Sequence, residues 1–326
     1  MPSVSHSRPP YDAELLAGLS AVPIPAFTAE NLQGARAFFP TNADHLTGDG
    51  TIEHTERTFK GPESDLTISI FRPTTSKSPS QSPRPCIYST HGGGMIVGNR
   101  FSGLAEVLVW LKAFDAICVS IEYRLAPEHP DPAPIEDCYA GLLYTYEHAA
   151  DLGIDPSKII LTGISAGGGL AAGLSLLARD RHGPKLLGQL LVAPMLDDRD
   201  LDYVSRHQLA DAVVWNLGNN KYGWTSLLGE RAGGSNVSCY AAPGRAQDLS
   251  GLSPVYIDVG SAELFRDEDV NYASRLWEHG VQVEFHVWPG AFHWSDALVP
   301  SHPLSKSSMA TRMEWLRRLL KIDLKG

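Results

Sequence analysis

From Cys86 onward the chain repeats one unit: a short aliphatic run, then a stretch long enough for a helix. The runs CIYST, AICVSI, KIILTG and QLLVA are dense in β-branched and aliphatic residues and almost free of charge. Such segments suit strands covered on both faces of a largely parallel sheet. Helix-length stretches lie between or beyond them at Leu104 to Phe114, Ile135 to Ala150, Ala166 to Arg179 and Glu268 to Glu278. A last amphipathic piece, Ser305 to Lys321, sets Met309, Met313, Leu316 and Leu320 at three- and four-residue spacing. Strand and helix in alternation predict an α/β fold with helices on both sides of the sheet.

Extended segments are predicted at Thr51 to Phe59, Asp65 to Phe71, Cys86 to Thr90, Ala116 to Ile121, Lys158 to Thr162, Gln189 to Ala193, Pro254 to Val259 and Val281 to Val287. That makes an eight-stranded, mostly parallel sheet. The first two segments alternate in polarity and flank Lys60 to Ser64, which predicts a hairpin. Pro73 to Pro85 is rich in Ser and Pro and predicts a surface loop.

Two regions break the rhythm. The first 45 residues hold short amphipathic pieces near Tyr11 to Leu19 and Thr28 to Phe39, neither able to fold alone. Asp197 to Pro243 carries Trp215, Trp224 and a helical pattern over Val204 to Leu217, but no strand. The expected organisation is therefore a helical cap at 1–45, core at 46–196, a cap insertion at 197–245 and core again at 246–326.

Composition removes several classes of function. Over 326 residues, 27 Lys and Arg face 37 Asp and Glu, a formal charge of −10, and no basic cluster offers a nucleic-acid footprint. Four scattered cysteines (Cys86, Cys118, Cys138 and Cys239) make no disulfide framework; Cys86 and Cys118 are expected as buried thiols. Ile159 to Ala178 lacks charge but holds five glycines, which suits a strand, a turn and a buried helix rather than a membrane span. The opening residues do not resemble a signal peptide, so a soluble cytoplasmic protein is expected.

Gly163-Ile164-Ser165-Ala166-Gly167 sits directly between the strand-like KIILT and the helix-like GGLAAGLSLLARD. A serine on a sharp strand-to-helix turn exposes its hydroxyl at the carboxyl edge of the sheet, above a helix amino end. Side chains at 163 or 167 would collide in so tight a turn, so Gly163 and Gly167 support it. His91-Gly92-Gly93-Gly94 follows the strand CIYST. Consecutive glycines are entropically costly and leave N–H groups bare, which suits a close approach of a substrate oxygen. Gly92, Gly93 and Ala166 are the expected donors to an oxyanion, with His91 and Gly94 as structural support.

A serine nucleophile needs a base and a group to orient that base. Of twelve histidines, His293 in WPGAFHW lies just beyond a strand, near the chain end. His286 alternates inside that strand, His129 lies beside Pro130, and His6, His182 and His207 have no comparable context. For the acid, Asp258, Glu263, Asp267, Glu268 and Asp269 are all close in sequence. Glu263 lies in the loop just past the strand, while 267–269 fall in a helix's first turn, where carboxylates favour the dipole.

Taken together, His91 to Gly94, the tract Glu122-Tyr123-Arg124-Leu125-Ala126-Pro127-Glu128-His129-Pro130, Gly163 to Gly168, Glu263 to Glu268 and His293 resemble the hormone-sensitive-lipase-like carboxylesterases of the α/β-hydrolase fold. The resemblance covers the chain from about Phe71 onward. It implies that the Y-R-L-A-P-E tract supports the oxyanion loop, and it maps Glu263, thirty residues before His293, onto the acid. Two departures stand out: Ile164 replaces the Asp or Thr common before the nucleophile, and Glu263 replaces the usual Asp.

A cofactor-free serine carboxylesterase is the implied activity, with Ser165, Glu263 and His293 as catalytic residues and a preference for short- to medium-chain or aryl esters. Its partner is a small ester, with no nucleic acid, no membrane span and no metal, since no His, Asp or Cys cluster has ligand spacing. Some relatives dimerise, which leaves a homodimer open. An amidase or arylformamidase would use the same residues, and a non-catalytic receptor on this scaffold would bind without turnover.

Overall fold

The computed structural model describes residues 7–19, 26–75, 82–199, 201 and 203–321. Its sheet has eight strands, β1 (Ile52–Lys60), β2 (Asp65–Pro73), β3 (Arg84–Thr90), β4 (Ile117–Glu122), β5 (Ile154–Ile164), β6 (Gly188–Val192), β7 (Val255–Gly260) and β8 (Val283–Trp288), in the order β1-β2-β4-β3-β5-β6-β7-β8. β2 pairs antiparallel with β1 and β4, and every other pairing is parallel. The predicted hairpin joins β1 to β2, closed by the Gly61 N–H on Ser64 O at 2.9 Å. Of the predicted loop from Pro73 to Pro85, residues 76–81 lie outside the described residues.

Alternate residues of each inner strand face opposite ways. Tyr88, Leu161, Leu191 and Ile257 enter the larger hydrophobic core, whereas Ile87, Ile160, Leu190 and Tyr256 enter the other. Helices α1 (Ala13–Gly18), α2 (Leu32–Arg36) and α3 (Asp44–Thr47) precede the sheet. Then come α4 (Ala105–Phe114), α5 (Ala133–Glu147), α6 (Ala149–Leu152) and α7 (Ala166–Asp180). The remainder are α8 (Val204–Gln208), α9 (Leu217–Leu228), α10 (Arg266–Glu278), α11 (Ser295–Leu298) and α12 (Pro303–Leu319). The larger core packs α5, α7 and α10; the other packs α4 and α12.

The helix predicted over Val204 to Leu217 is not continuous. It stops at Gln208, and a longer helix begins where the prediction ended, at Leu217. Gly218, Asn219, Asn220 and Gly223 disguise it, being weak helix formers. The Asn216 side chain nonetheless caps it by accepting the Asn219 N–H at 2.9 Å.

The short amino-terminal helices do lean on other elements. The Asp12 N–H donates to Gly290 O at 2.9 Å, and Leu15 packs with Val214, Ala291 and Phe292. Arg36 grips Glu128 with two bonds of 2.8 Å and the backbone oxygens of Ile96 and Ala126 at 2.8 and 2.9 Å. Cys86, Cys118 and Cys138 are buried free thiols, and Cys239 is a half-buried one. Among the described residues no helix is long and apolar enough to cross a membrane.

Candidate active site

Ser165 stands between β5 and α7 with φ 59° and ψ −126°, a conformation that side-chain-bearing residues rarely adopt. Strain of this kind costs about 1–3 kcal/mol and persists only where neighbours over-determine it. Three bonds do so: the Ser165 N–H on Val192 O (2.9 Å), and the Met195 and Gly169 N–H groups on Ser165 O (2.9 and 3.0 Å). A Cβ on Gly163 would lie 2.3 Å from the Gly167 carbonyl, and one on Gly167 would lie 2.1 Å from Thr90 O. The crowding expected of the turn is present.

The glycine loop lies alongside. Gly93 has φ 114°, and a Cβ there would meet Val97 O at 2.1 Å. Among the described residues the Gly92 and Gly93 N–H groups have no protein acceptor. Ala166 opens α7, so its N–H has no carbonyl one turn back. The three amides expected to hold an oxyanion are thus free to donate to a ligand.

His91 is buried beneath this loop, stacked on Tyr123 with ring centroids 4.1 Å apart. Its Nδ1 lies 2.8 Å from Gly92 O, and the Tyr123 hydroxyl donates to His91 O at 2.8 Å. Burial pushes the His91 imidazole below its ordinary value, so the ring is a neutral wedge. Arg124 forks onto the buried Asp137 with two bonds of 2.8 Å, and the Ala126 N–H donates to Met95 O at 2.9 Å. The tract 122–130 therefore buttresses the glycine loop.

His293 follows β8 and carries its Nδ1 to 2.5 Å from Glu263 Oε2. The other Glu263 oxygen accepts the Gly260 N–H at 2.5 Å, and both residues are buried. Phe265 meets the imidazole edge-on, 5.2 Å between centroids. Of the five acids weighed for this position, only Glu263 contacts His293. Asp258 lies on β7 and pairs with Arg312 at 2.9 Å.

The three acids in the first turn of α10 are more than helix-dipole partners. Asp267 accepts the Ser205 N–H at 2.7 Å. Glu268 accepts the Leu196 N–H at 2.8 Å and Arg206 at 2.7 Å. Asp269 is fully buried with no hydrogen-bond partner among the described residues, and burial drives its carboxyl well above the usual range. His286 bonds Glu284 at 3.0 Å, His129 and His182 are exposed, and His6 lies outside the described residues.

Ser165, His293, Gly92 and Gly93 line one cavity of about 110 Å³. Its remaining wall is largely apolar: Phe27 and Phe39 from the amino-terminal segment, Val97, Ile164, Val214, Trp215 and Trp294. Phe27 leans on Trp215 with 5.9 Å between centroids. Sequence reading singled out Trp215 only as part of an insertion and missed the two phenylalanines. Their signal was two aromatics in a segment too short to hold its own core.

This scaffold and cavity define the class. A family model described as the α/β-hydrolase fold matches residues 87–295, and the chain belongs to that family. It is 33% identical over 296 residues to esterase LipI of Mycobacterium tuberculosis, covering 88% of this chain and 89% of that protein. Carboxylesterase NlhH of the same species is 33% identical over 295 residues, with the same shares covered. Among solved structures a bacterial heroin esterase superposes with a TM-score of 0.85 at 37% identity, covering 95% of this chain and 98% of that one. Within the family the protein is a carboxylesterase, a carboxylic ester hydrolase of the kind that works through an acyl-enzyme.

Proposed function

We propose that the protein hydrolyses short- to medium-chain or aryl carboxylic esters with Ser165 as nucleophile, His293 as base and Glu263 as the acid that orients it. The observation that carries this reading is the common cavity shared by Ser165, His293 and the two glycine amides, with Glu263 bonded behind the imidazole. The Nδ1–H held by Glu263 leaves Nε2 as the basic nitrogen. It takes the Ser165 proton as Oγ attacks the ester carbonyl, and Glu263 stabilises the imidazolium that forms. The oxyanion develops toward the amides of Gly92, Gly93 and Ala166 at the positive end of α7. His293 then protonates the leaving alcohol, and water attacks the acyl-enzyme by the same route.

The acyl preference rests on the aromatic wall. A cavity of about 110 Å³ suits a compact acyl or aryl group better than a long fatty chain. A cytoplasmic location belongs to the same reading, because four free thiols suit a reducing compartment. A homodimer is its remaining member, and light scattering reads the mass.

The deciding experiment pairs p-nitrophenyl acetate and butyrate turnover with labelling by a fluorophosphonate. Wild type turns over both and is labelled; S165A loses ~10⁴-fold or more in kcat and takes no label. Unchanged turnover in S165A removes the nucleophile. Matched anilides assayed in parallel separate ester from amide hydrolysis, and binding without turnover or labelling in wild type would make the protein a receptor.

A further inference from the structure

We propose that Arg312 is a positioning residue for the His293–Glu263 pair, its one guanidinium fastening both the strand that leads to the acid and the short helix that follows the base. The inference rests on the catalytic reading above.

Arg312 projects from α12 and is 3% exposed. Its Nε and one terminal nitrogen donate to the two oxygens of Asp258 at 2.9 and 3.0 Å. The other terminal nitrogen donates to Asp296 at 2.5 Å and to Glu106 at 2.7 Å. Asp258 precedes by two residues Gly260, the residue whose N–H holds Glu263. The Tyr256 hydroxyl and the Trp288 indole N–H also donate to Asp258, at 3.2 and 3.0 Å. The β7 end that launches the acid loop is thus pinned from three sides.

The base side needs such a tie more. Directly after His293 the chain passes through Trp294 at φ 64°, a left-handed turn that costs a non-glycine residue ~1–2 kcal/mol. It then enters α11, only four residues long and far below the length at which a helix sustains itself. Asp296 lies in that helix, where one of its oxygens accepts the Ala297 N–H at 2.9 Å and the other accepts Arg312. Backbone bonds from the Ser295 N–H to Phe292 O and from the Leu298 N–H to Trp294 O, at 3.0 and 3.1 Å, close the turn, and the ion pair ties it to the body of the enzyme. Glu263, Asp258 and Arg312 all line a cavity of about 30 Å³, and none of the guanidinium's hydrogen bonds goes to the acid. Arg312 acts through the two loops and not on the reacting atoms.

A planar fork that serves three carboxylates in different directions is not reproduced by an ammonium point charge. The test compares D296N, R312K and R312M with wild type in kcat, KM, thermal melting and the low-field proton resonance of the His293 Nδ1–H. D296N, which cuts only the arm to the base loop, should fold, lose ~10–10²-fold in kcat with KM changed by less than about threefold, and shift or lose that resonance. R312K should fall between wild type and R312M. If R312M fails to fold, D296N alone decides. Folded D296N with wild-type kcat and an unmoved resonance overturns the inference. Failure of the catalytic reading looks different: H293A would turn over esters at the wild-type rate.

Discussion

Glu263 and His293, thirty residues apart in the chain, meet at 2.5 Å, while Glu268, five residues beyond Glu263, faces away into an Arg206–Leu196 pocket. Two neighbouring glutamates thus have separable roles. E263Q should lower kcat by ~10²–10⁴-fold with KM changed by less than about threefold, as loss of the orienting carboxylate does in a serine triad. E268Q should keep kcat and lose thermal stability instead, because an amide cannot accept from both the Leu196 N–H and the buried Arg206 as the carboxyl does. Steady-state kinetics with p-nitrophenyl butyrate and melting curves on both variants check this; a kinetic defect confined to E268Q would move the acid.

The glycine loop offers a second test. With φ 114° and a Cβ position 2.1 Å from Val97 O, Gly93 cannot accept even a methyl without displacing the loop. G93A should lose ~10²–10³-fold in kcat, the usual effect of removing one oxyanion donor. Its melting temperature should fall as well, because the methyl meets backbone at a φ that alanine resists. Wild-type turnover in folded G93A would take this amide out of the site.

Four carboxyls should each contribute to stability in an unusual direction with pH. Burial raises the carboxyls of Asp258 and Asp269 and pushes those of Glu106 and Glu268 up to about 7. A raised carboxyl binds its proton more tightly in the folded chain than in the unfolded one. Its contribution is complete below the unfolded value and is lost as pH climbs through the folded one. These four groups therefore favour the fold near pH 4–5 and progressively less toward pH 8. D269N removes one of them, and its melting temperature relative to wild type should be higher at pH 8 than at pH 5. A difference independent of pH contradicts the assignment.

The aromatic wall sets a fourth expectation. Trp215 packs against Phe27 and against the backbone of Gly94, where a Cβ would lie 2.4 Å from the indole. W215A opens the acyl end of the cavity without touching the serine turn. The ratio of kcat/KM for octanoate to that for acetate should rise ~10-fold, at the scale that a few methylenes are worth in an apolar pocket. An unaltered chain-length series would place the acyl group elsewhere.

How far the sequence foretold this molecule varied with the locality of the signal. The inner strands were visible because a strand covered on both faces must be apolar over its whole length, and β1 and β2 because their polarity alternates around a turn. Ser165 and Gly163 were legible for a steric reason: a reversal this tight leaves space for nothing larger than hydrogen at its flanks. α9 escaped notice, since its Gly218 and Gly223 carry a turn's chemistry and only the Asn216 cap and tertiary packing make them helical. Position favoured Glu263, in the loop just past β7, over Glu268 in the first turn of α10; the resemblance mapped it onto the acid, and the side-chain partners distinguish the two. Arg312 was invisible because its three carboxylates come from places as far away in sequence as Glu106.

The hydrogen on Gly167 is all that fits between the serine turn and the backbone of Thr90 and His91. The bend that presents the Ser165 hydroxyl and the glycine loop beside it are nested like two stacked plates. Their spacing is set by main chain on both sides, which no rotamer can adjust. A substitution in the aromatic wall can therefore reshape the cavity while the spacing between the serine turn and the glycine loop stays as it is.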